Sequence, residues 1–453
     1  MRSTADVVIC GAGIAGAAAA YHLAVRHRIS RVVIVDDRDP LTLTSDKGTQ
    51  AYRNWWPGPD DTMLRLVARS IDLLEDSAAE CGNTFRMSRR GYLFATAKES
   101  QAEKLLTTAN QVSEHGMGSV RVHPGPDAYR PAQAEGFADQ PVGADLLRGD
   151  ELHRVFPYLA ADTIAALHIR RAGWLNAVAL GSWFLTQAIA AGATFIRGHV
   201  TRVGVTGGQI RDVQLNTGET IGTDRFVIAA GPGLPAVAGL LGITLPVFHE
   251  LHAKMTLRDP LGVVRRDAPF IIWQDETQLE WSEGDRHELE SNEKTARLAR
   301  MLPGGVHVRP VDLAHGDELY LIWTFETEKK EYAWPPSFDP HYGEVVLRGA
   351  ARMIPGLARY VDQRPQGIVD GGYYCKTPEN RPLIGPLPVQ GAFVLGALSG
   401  MGVMSSHASA ELLAAHVTGD RLPSYAKWFL PSRYEDPEYR ALVEQWGPLV
   451  GQL

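Results

Sequence analysis

The chain has 453 residues, enough for two or three domains at about 150 residues each, and its 45% hydrophobic and 21% charged residues exclude a disordered polymer. With 45 Lys and Arg against 52 Asp and Glu, the net charge is −7, which excludes a protein that grips a nucleic-acid backbone. Three cysteines, Cys10, Cys81 and Cys375, are too few for a disulfide framework or a four-thiolate zinc site and point to a reducing, cytoplasmic setting.

Only Met1 to Asp6 precede the first apolar run, so no signal peptide is expected. Val7-Val8-Ile9-Cys10 reads as a buried strand, Gly11-Ala12-Gly13-Ile14-Ala15-Gly16 as a turn, Ala17 to Val25 as a helix, and Val32 to Val35 as a second strand ending in Asp36 and Asp37. A helix is expected over Val178–Ala191, a strand over Ala193–Val205, and hairpin turns near Gly207-Gly208 and Thr217-Gly218. Phe226 to Pro246 is as long as a membrane span, but its glycines and prolines make it a buried strand, loop and helix, and no transmembrane segment is expected. Between about 245 and 370, runs such as Phe270-Ile271-Ile272-Trp273 and Leu319-Tyr320-Leu321-Ile322-Trp323 predict a mostly antiparallel sheet. The charged stretch Ser282 to Leu302, with helical spacing at Ala296, Leu298, Met301 and Leu302, reads as a solvated surface helix, with a lid or an oligomer contact as alternatives. A last helix is expected over Met404–Val417, stopped by Gly419.

The glycine turn carries the first chemistry. Gly11 permits the tight turn, Gly13 lets a pyrophosphate approach the backbone, and Gly16 lets helix and strand pack closely. The helix N-terminus then presents free N–H groups and a positive dipole end to the phosphates. Asp36, twenty residues beyond Gly16, is placed to accept hydrogen bonds from ribose hydroxyls. This predicts a dinucleotide site, without separating NAD from FAD. No cluster has metal-ligand spacing, and no metal is expected.

Near the C-terminus, Thr377-Pro378-Glu379-Asn380-Arg381-Pro382-Leu383-Ile384-Gly385 leads to Phe393-Val394-Leu395-Gly396 and then to Ser399-Gly400-Met401-Gly402-Val403. With the N-terminal fingerprint and Arg225 to Gly231, this resembles the D-amino-acid oxidase/sarcosine oxidase superfamily, nearest to its monomeric sarcosine oxidase branch. The resemblance implies an α/β fold in two discontinuous lobes. A Rossmann-like FAD lobe takes 1–84, 165–240 and 370–430, a substrate lobe on a largely antiparallel sheet takes 85–164 and 241–369, and 431–453 form a tail. It implies FAD contacts at Gly11 to Gly16 (Ala12, Gly13, Ile14 and Ala15 included), at Asp36 and Asp37, and at Ser45, Lys47, Gly48 and Thr49 beneath the flavin. Further contacts are implied at Val200, Ala230 and Gly231, and at Gly400, Met401, Gly402, Val403 and Met404. A helix N-terminus there suits the negative charge of a reduced flavin.

Departures from that pattern matter as much. The family's covalent cysteine corresponds to Gly372, with Cys375 three residues on, so the resemblance implies non-covalent FAD. A carboxylate-binding lysine corresponds to Met404 and an oxygen-activating lysine to Tyr320, while Arg53 matches the arginine that binds substrate carboxylate. His307 matches an active-site tyrosine, and Tyr374 neighbours the matched Gly372. The implied candidates for catalysis are Arg53, His307, Tyr320 and Tyr374. Each has a plainer reading: Arg53 as a structural ion pair, His307 as an inert strand residue. Trp55 and Trp56 read as core, with a pocket wall as the alternative. The implied activity is oxidation of the C–N bond of an amino acid or amine, with oxygen or another acceptor reoxidising FAD. The rivals are oxidation of a 2-hydroxy acid or alcohol, and a flavoprotein scaffold with little turnover.

Overall fold

A computed structural model describes residues 2–123, 129–311, 316–363 and 367–446, so the last seven residues of the expected tail lie outside the described residues. Its centre is a six-stranded sheet in the order Thr194–Arg197, Val32–Asp36, Val7–Cys10, Phe226–Ile228, Ala392–Gly396, Leu383–Pro386. All neighbours are parallel except the last pair. Val7–Cys10 and Phe226–Ile228 are buried throughout, as apolar strands covered on both faces must be. The helix Ile14–Tyr21 follows the glycine turn and packs its buried alanines against the helices Ala177–Ala190 and Gly402–Thr418. Two glycines are obligatory here. Gly11 has φ +113°, and a side chain on Gly16 would strike the Gly11 carbonyl.

The second large sheet has nine strands, in the order Ile368–Lys376, Phe248–Arg258, Glu318–Trp323, Val306–Pro310, Phe270–Trp273, Tyr92–Thr96, Ala165–Ile169, Ala144–Arg148, Val120–Val122. It is antiparallel apart from the Phe270–Trp273/Tyr92–Thr96 and Val120–Val122/Ala144–Arg148 pairs. Two of its strands fall within or across segments expected for the FAD lobe. Ala165–Ile169 is clasped between Tyr92–Thr96 and Ala144–Arg148, and Ile368–Lys376 runs the length of Phe248–Arg258. Backbone pairing draws both into this sheet, although 165 and 370 were the expected starts of FAD-lobe segments.

The expected strand 193–205 is two strands. Thr194–Arg197 joins the parallel sheet, the chain turns at Gly198-His199, and Val200–Thr206 opens a meander with Gln209–Leu215 and Thr220–Gly222. Gly207, Gly208 and Gly218 all have positive φ at its turns. In the charged segment the helix comes first, over Glu283–Ser291, where the Ser282 hydroxyl caps the Asp285 N–H. The expected helical end is instead a 3-10 turn, Ala296–Ala299, and a short strand, Met301–Leu302, paired with Thr277–Gln278.

Candidate active site

A groove of about 120 Å³ opens along the C-terminal ends of the parallel strands, where an open α/β sheet receives its ligand. Gly11, Gly13, Ile14, Ala15, Asp36, Ser45, Gly48, Thr49, Ala230, Gly231, Gly400, Gly402 and Val403 line it, as expected from the sequence. So do Arg38, Gln50, Tyr373, Cys375 and Ser399, which sequence reasoning did not assign to the cofactor. Gly13 caps the first helix without a side chain, so a phosphate meets no Cβ there. The Ile14 N–H donates to Ser45 Oγ at 2.9 Å, so Ser45 stands at this helix end. Asp36 accepts the Ala12 N–H at 2.6 Å and the Arg38 N–H at 3.0 Å, and burial raises its pKa. Gly402–Thr418 also begins at the groove without a side-chain cap. Two helix ends whose N-cap residues supply no side-chain cap, and one acceptor carboxylate, fit a dinucleotide.

Seven expected cofactor contacts do not line the groove. Ala12 and Gly16 build the turn from behind. Asp37 lies near His199, Lys47 pairs with Asp46 and Asp370, and Val200 is buried under the meander. Met401 faces the neighbouring cavity, and Met404 Sδ accepts the Arg53 N–H at 3.4 Å.

That neighbouring cavity, about 70 Å³, shares Thr49, Ser399 and Gly400 with the groove. It brings together Arg53, His307 and Tyr374, three of the four expected catalytic residues, from separate parts of the chain. Trp56, Tyr92, Phe270 and Ile322 wall it, so Trp56 is a pocket wall as well as core. Trp55 lines a different cavity, of about 370 Å³, behind Trp56.

The polar groups of the small cavity are unusually unpaired. Arg53 Nε is buried without a hydrogen-bond partner, and its guanidinium lies 5.5 Å from the Tyr92 ring centre. The His307 Nδ1–H donates to the Gly305 carbonyl, which leaves Nε2 as an acceptor. Desolvation, with Arg53 nearby, pushes His307 down to about 4, so the imidazole is neutral near pH 7. Burial pushes the Tyr374 phenol up to about 12, and it keeps its proton.

Tyr320 is not part of this cavity. Its ring lies between the Arg309 guanidinium at 4.6 Å and the Lys254 ammonium at 5.3 Å. Arg309 Nη2 donates to the Thr49 carbonyl at 2.8 Å, and Lys254 Nζ to the Lys47 carbonyl at 3.0 Å. Tyr320 thus supports a pair of buried cations that hold the Lys47–Thr49 loop. The sequence signal was misread because the strand register turns Tyr320 toward Arg309, its direct pairing partner.

The cavity residues not expected from the sequence include His252, Thr324, Asn380 and Ser399. Asn380 follows Thr377-Pro378-Glu379, and the C-terminal tail pins this loop from behind. Arg433, 5% exposed, binds Glu379 at 2.7 Å and also donates to the Pro382, Phe429 and Leu430 carbonyls. The hydroxyls of Tyr434 and Tyr439 also donate to Glu379.

A family model described as FAD dependent oxidoreductase (DAO) matches residues 6–416. The chain belongs to this family. FAD is therefore its cofactor, and among the described residues no helix is long and apolar enough to cross a membrane. An uncharacterized oxidoreductase of Bacillus subtilis, YurR, is 26% identical over 263 residues, 56% of this chain and 63% of that protein. A D-amino acid dehydrogenase of Methylobacterium nodulans is 28% identical over 200 residues, 43% of this chain and 41% of that protein. The chain thus aligns with less than two thirds of either relative. The crystal structure of L-proline dehydrogenase from P. horikoshii superposes with a TM-score of 0.73 at 18% identity, covering 96% of this chain and 99% of that one. That likeness establishes the fold of this FAD-dependent oxidoreductase.

Proposed function

We propose that this FAD-dependent oxidoreductase oxidises the C–N bond of an amino acid or N-substituted amino acid. The reading rests on Arg53, which lines a cavity adjoining the FAD groove and whose Nε is buried without a hydrogen-bond partner. A guanidinium fork matches a carboxylate, and the bond is strong where water is excluded. When bound, FAD would supply the two-electron acceptor for oxidation at the substrate Cα. Arg53 orients the substrate by its carboxylate. Neutral His307 accepts a hydrogen bond from the substrate nitrogen, protonated Tyr374 donates one to a substrate oxygen, and the aromatic walls exclude water. The product imine is hydrolysed after release. On this reading the residues around the six-stranded sheet form the cofactor lobe and those on the nine-stranded sheet the substrate lobe.

The test is an anaerobic screen of the holoenzyme against amino acids, N-methyl amino acids and 2-hydroxy acids, read as loss of flavin absorbance. Bleaching by the nitrogen compounds is expected. Bleaching by hydroxy acids alone would replace this reading with alcohol oxidation, and no bleaching at all would leave a flavoprotein scaffold.

A further inference from the structure

We propose that Asn380 is a specificity-determining residue that reads the substrate's nitrogen, and that it does so as a neutral amine. The proposal rests on the amino-acid reading above and deepens it. Asn380 is 5% exposed, lines the cavity beside Arg53, and has no hydrogen-bond partner at either Oδ1 or Nδ2. A buried carboxamide with both ends unpaired is costly in a folded protein, and one facing a ligand cavity has its partners in the ligand. Ser399, 8% exposed, presents a third unpartnered group, and it lines both this cavity and the FAD groove.

The surroundings fix where the Asn380 amide is held. The residue has φ +60°, a conformation asparagine tolerates, and its N–H donates to the Thr377 carbonyl at 3.0 Å. The Thr377 hydroxyl spans the turn to the Arg381 carbonyl at 2.7 Å, and Arg381 pairs with Asp60 at 2.7 Å. Glu379, the residue before, is held by Arg433.

Charge decides what the amide can read. Arg53 only donates, and it meets the carboxylate. A nitrogen substituent needs acceptors, and among the described residues lining the cavity there is no carboxylate. Arg53 and the substrate carboxylate offset each other, and with no lining carboxylate left to pair an ammonium, burial opposes the charged form and favours the unprotonated amine, the form whose lone pair assists loss of the Cα hydride. Asn380 Oδ1 accepts the N–H of that amine without fixing a positive charge.

The experiment titrates oxidised holoenzyme anaerobically with two isosteric pairs, alanine with isobutyrate and proline with cyclopentanecarboxylate, following the flavin absorbance change at early times. The wild type is expected to prefer the nitrogen-bearing member of at least one pair. Asn380→Gly, which the left-handed backbone accepts without strain, should shrink that preference about tenfold while changing carboxylate affinity less than about twofold. Arg53→Ala should weaken both members of each pair. In Asn380→Asp the new anion should stabilise the ammonium, moving the rise of kcat/KM to higher pH. A wild type without preference, or an unchanged preference in Asn380→Gly, would overturn the assignment. Binding preferences as expected without bleaching by any amine would overturn the oxidation reading alone.

Discussion

His252 lies flat on Tyr374, their ring centres 4.0 Å apart and their planes 16° from parallel. The His252 Nε2–H donates to Glu250 at 3.0 Å, and its Nδ1 accepts from the Thr324 hydroxyl at 3.2 Å. Glu250 is also bound by Lys376 at 2.9 Å. Burial lowers the His252 pKa despite the carboxylate, so the ring acts as a fixed aromatic plate that positions the Tyr374 phenol. A stacked pair contributes about 0.5–1.5 kcal/mol beyond burial. His252→Ala should therefore raise KM roughly twofold to tenfold, with FAD content unchanged, and His252→Phe should recover most of the loss. Equal losses in both variants, measured by steady-state kinetics, would assign His252 a role other than stacking.

Arg53→Ala removes the charged partner of the substrate carboxylate. The loss is about 1.5–3 kcal/mol, or roughly tenfold to hundredfold in affinity. Arg53→Lys should restore only part of it, because an ammonium lacks the fork. Unchanged substrate affinity in both variants, with flavin still bound, would take Arg53 out of the site.

Cofactor attachment follows from Cys375, which lines the groove. Burial pushes its thiol up to about 12, so it is not a thiolate and not a nucleophile near pH 7. Acid precipitation should release all flavin into the supernatant, and Cys375→Ser should bind FAD as the native chain does. Flavin retained in the pellet would show a covalent bond.

Histidines with depressed pKa values set an acid limit, among them buried His22, which desolvation holds well below its ordinary value. Desolvation holds His168 and His407 down at about 3 and His307 at about 4, against an ordinary 6.5. Below pH 6.5 the unfolded chain takes up protons that the folded chain refuses, so folded pKa values depressed in this way mean stability falls as pH drops from about 6.5 toward 3–4. Each group contributes up to about 1.4 kcal/mol per pH unit in that window. Thermal unfolding of the holoenzyme should show a steady fall in Tm from pH 6.5 to 4.5, and none from 8 to 7 on account of these groups.

Reoxidation is the fifth expectation. Oxygen reduction beside the flavin needs a nearby cation. His307 is neutral, Lys254 gives its ammonium to the Lys47 carbonyl and Asp370, and Arg53 meets the carboxylate. Stopped-flow mixing should show reduced enzyme reacting faster with a quinone or acceptor dye than with oxygen. An oxygen rate far above that of free reduced flavin would contradict this.

Much of the groove was legible in the sequence because residues that line it are local: Gly11, Gly13 to Ala15, Asp36, Gly400, Gly402 and Val403 carry their geometry within short motifs. Arg53, His307 and Tyr374 were legible only through family likeness, since nothing local brings three distant segments to one cavity. Tyr320 misled because its position in a strand says nothing of the cations across the sheet. Asn380 left no signal of its own. Its importance lies in two unpaired atoms, a property of surroundings assembled from Thr377, Arg381 and the tail. The lobe limits expected at 165 and 370 were drawn without knowing sheet membership, because apolar runs name a strand but not its sheet.

The path of the chain between the two large sheets governs when the enzyme can first exist. The six-stranded sheet is assembled from residues within 7–36, 194–228 and 383–396, and the nine-stranded sheet from what lies between. During synthesis, Phe226–Ile228 emerges long before Ala392–Gly396, the strand that covers its open side. Until then the half-built sheet exposes an apolar edge, the condition that favours wrong pairing. The last wall of the cofactor groove, Leu395 to Val403, arrives with that same strand. The groove is thus complete only after these residues have emerged. A chain without FAD lacks a ligand that binds only its folded form, so the yield of folded protein should track flavin supply.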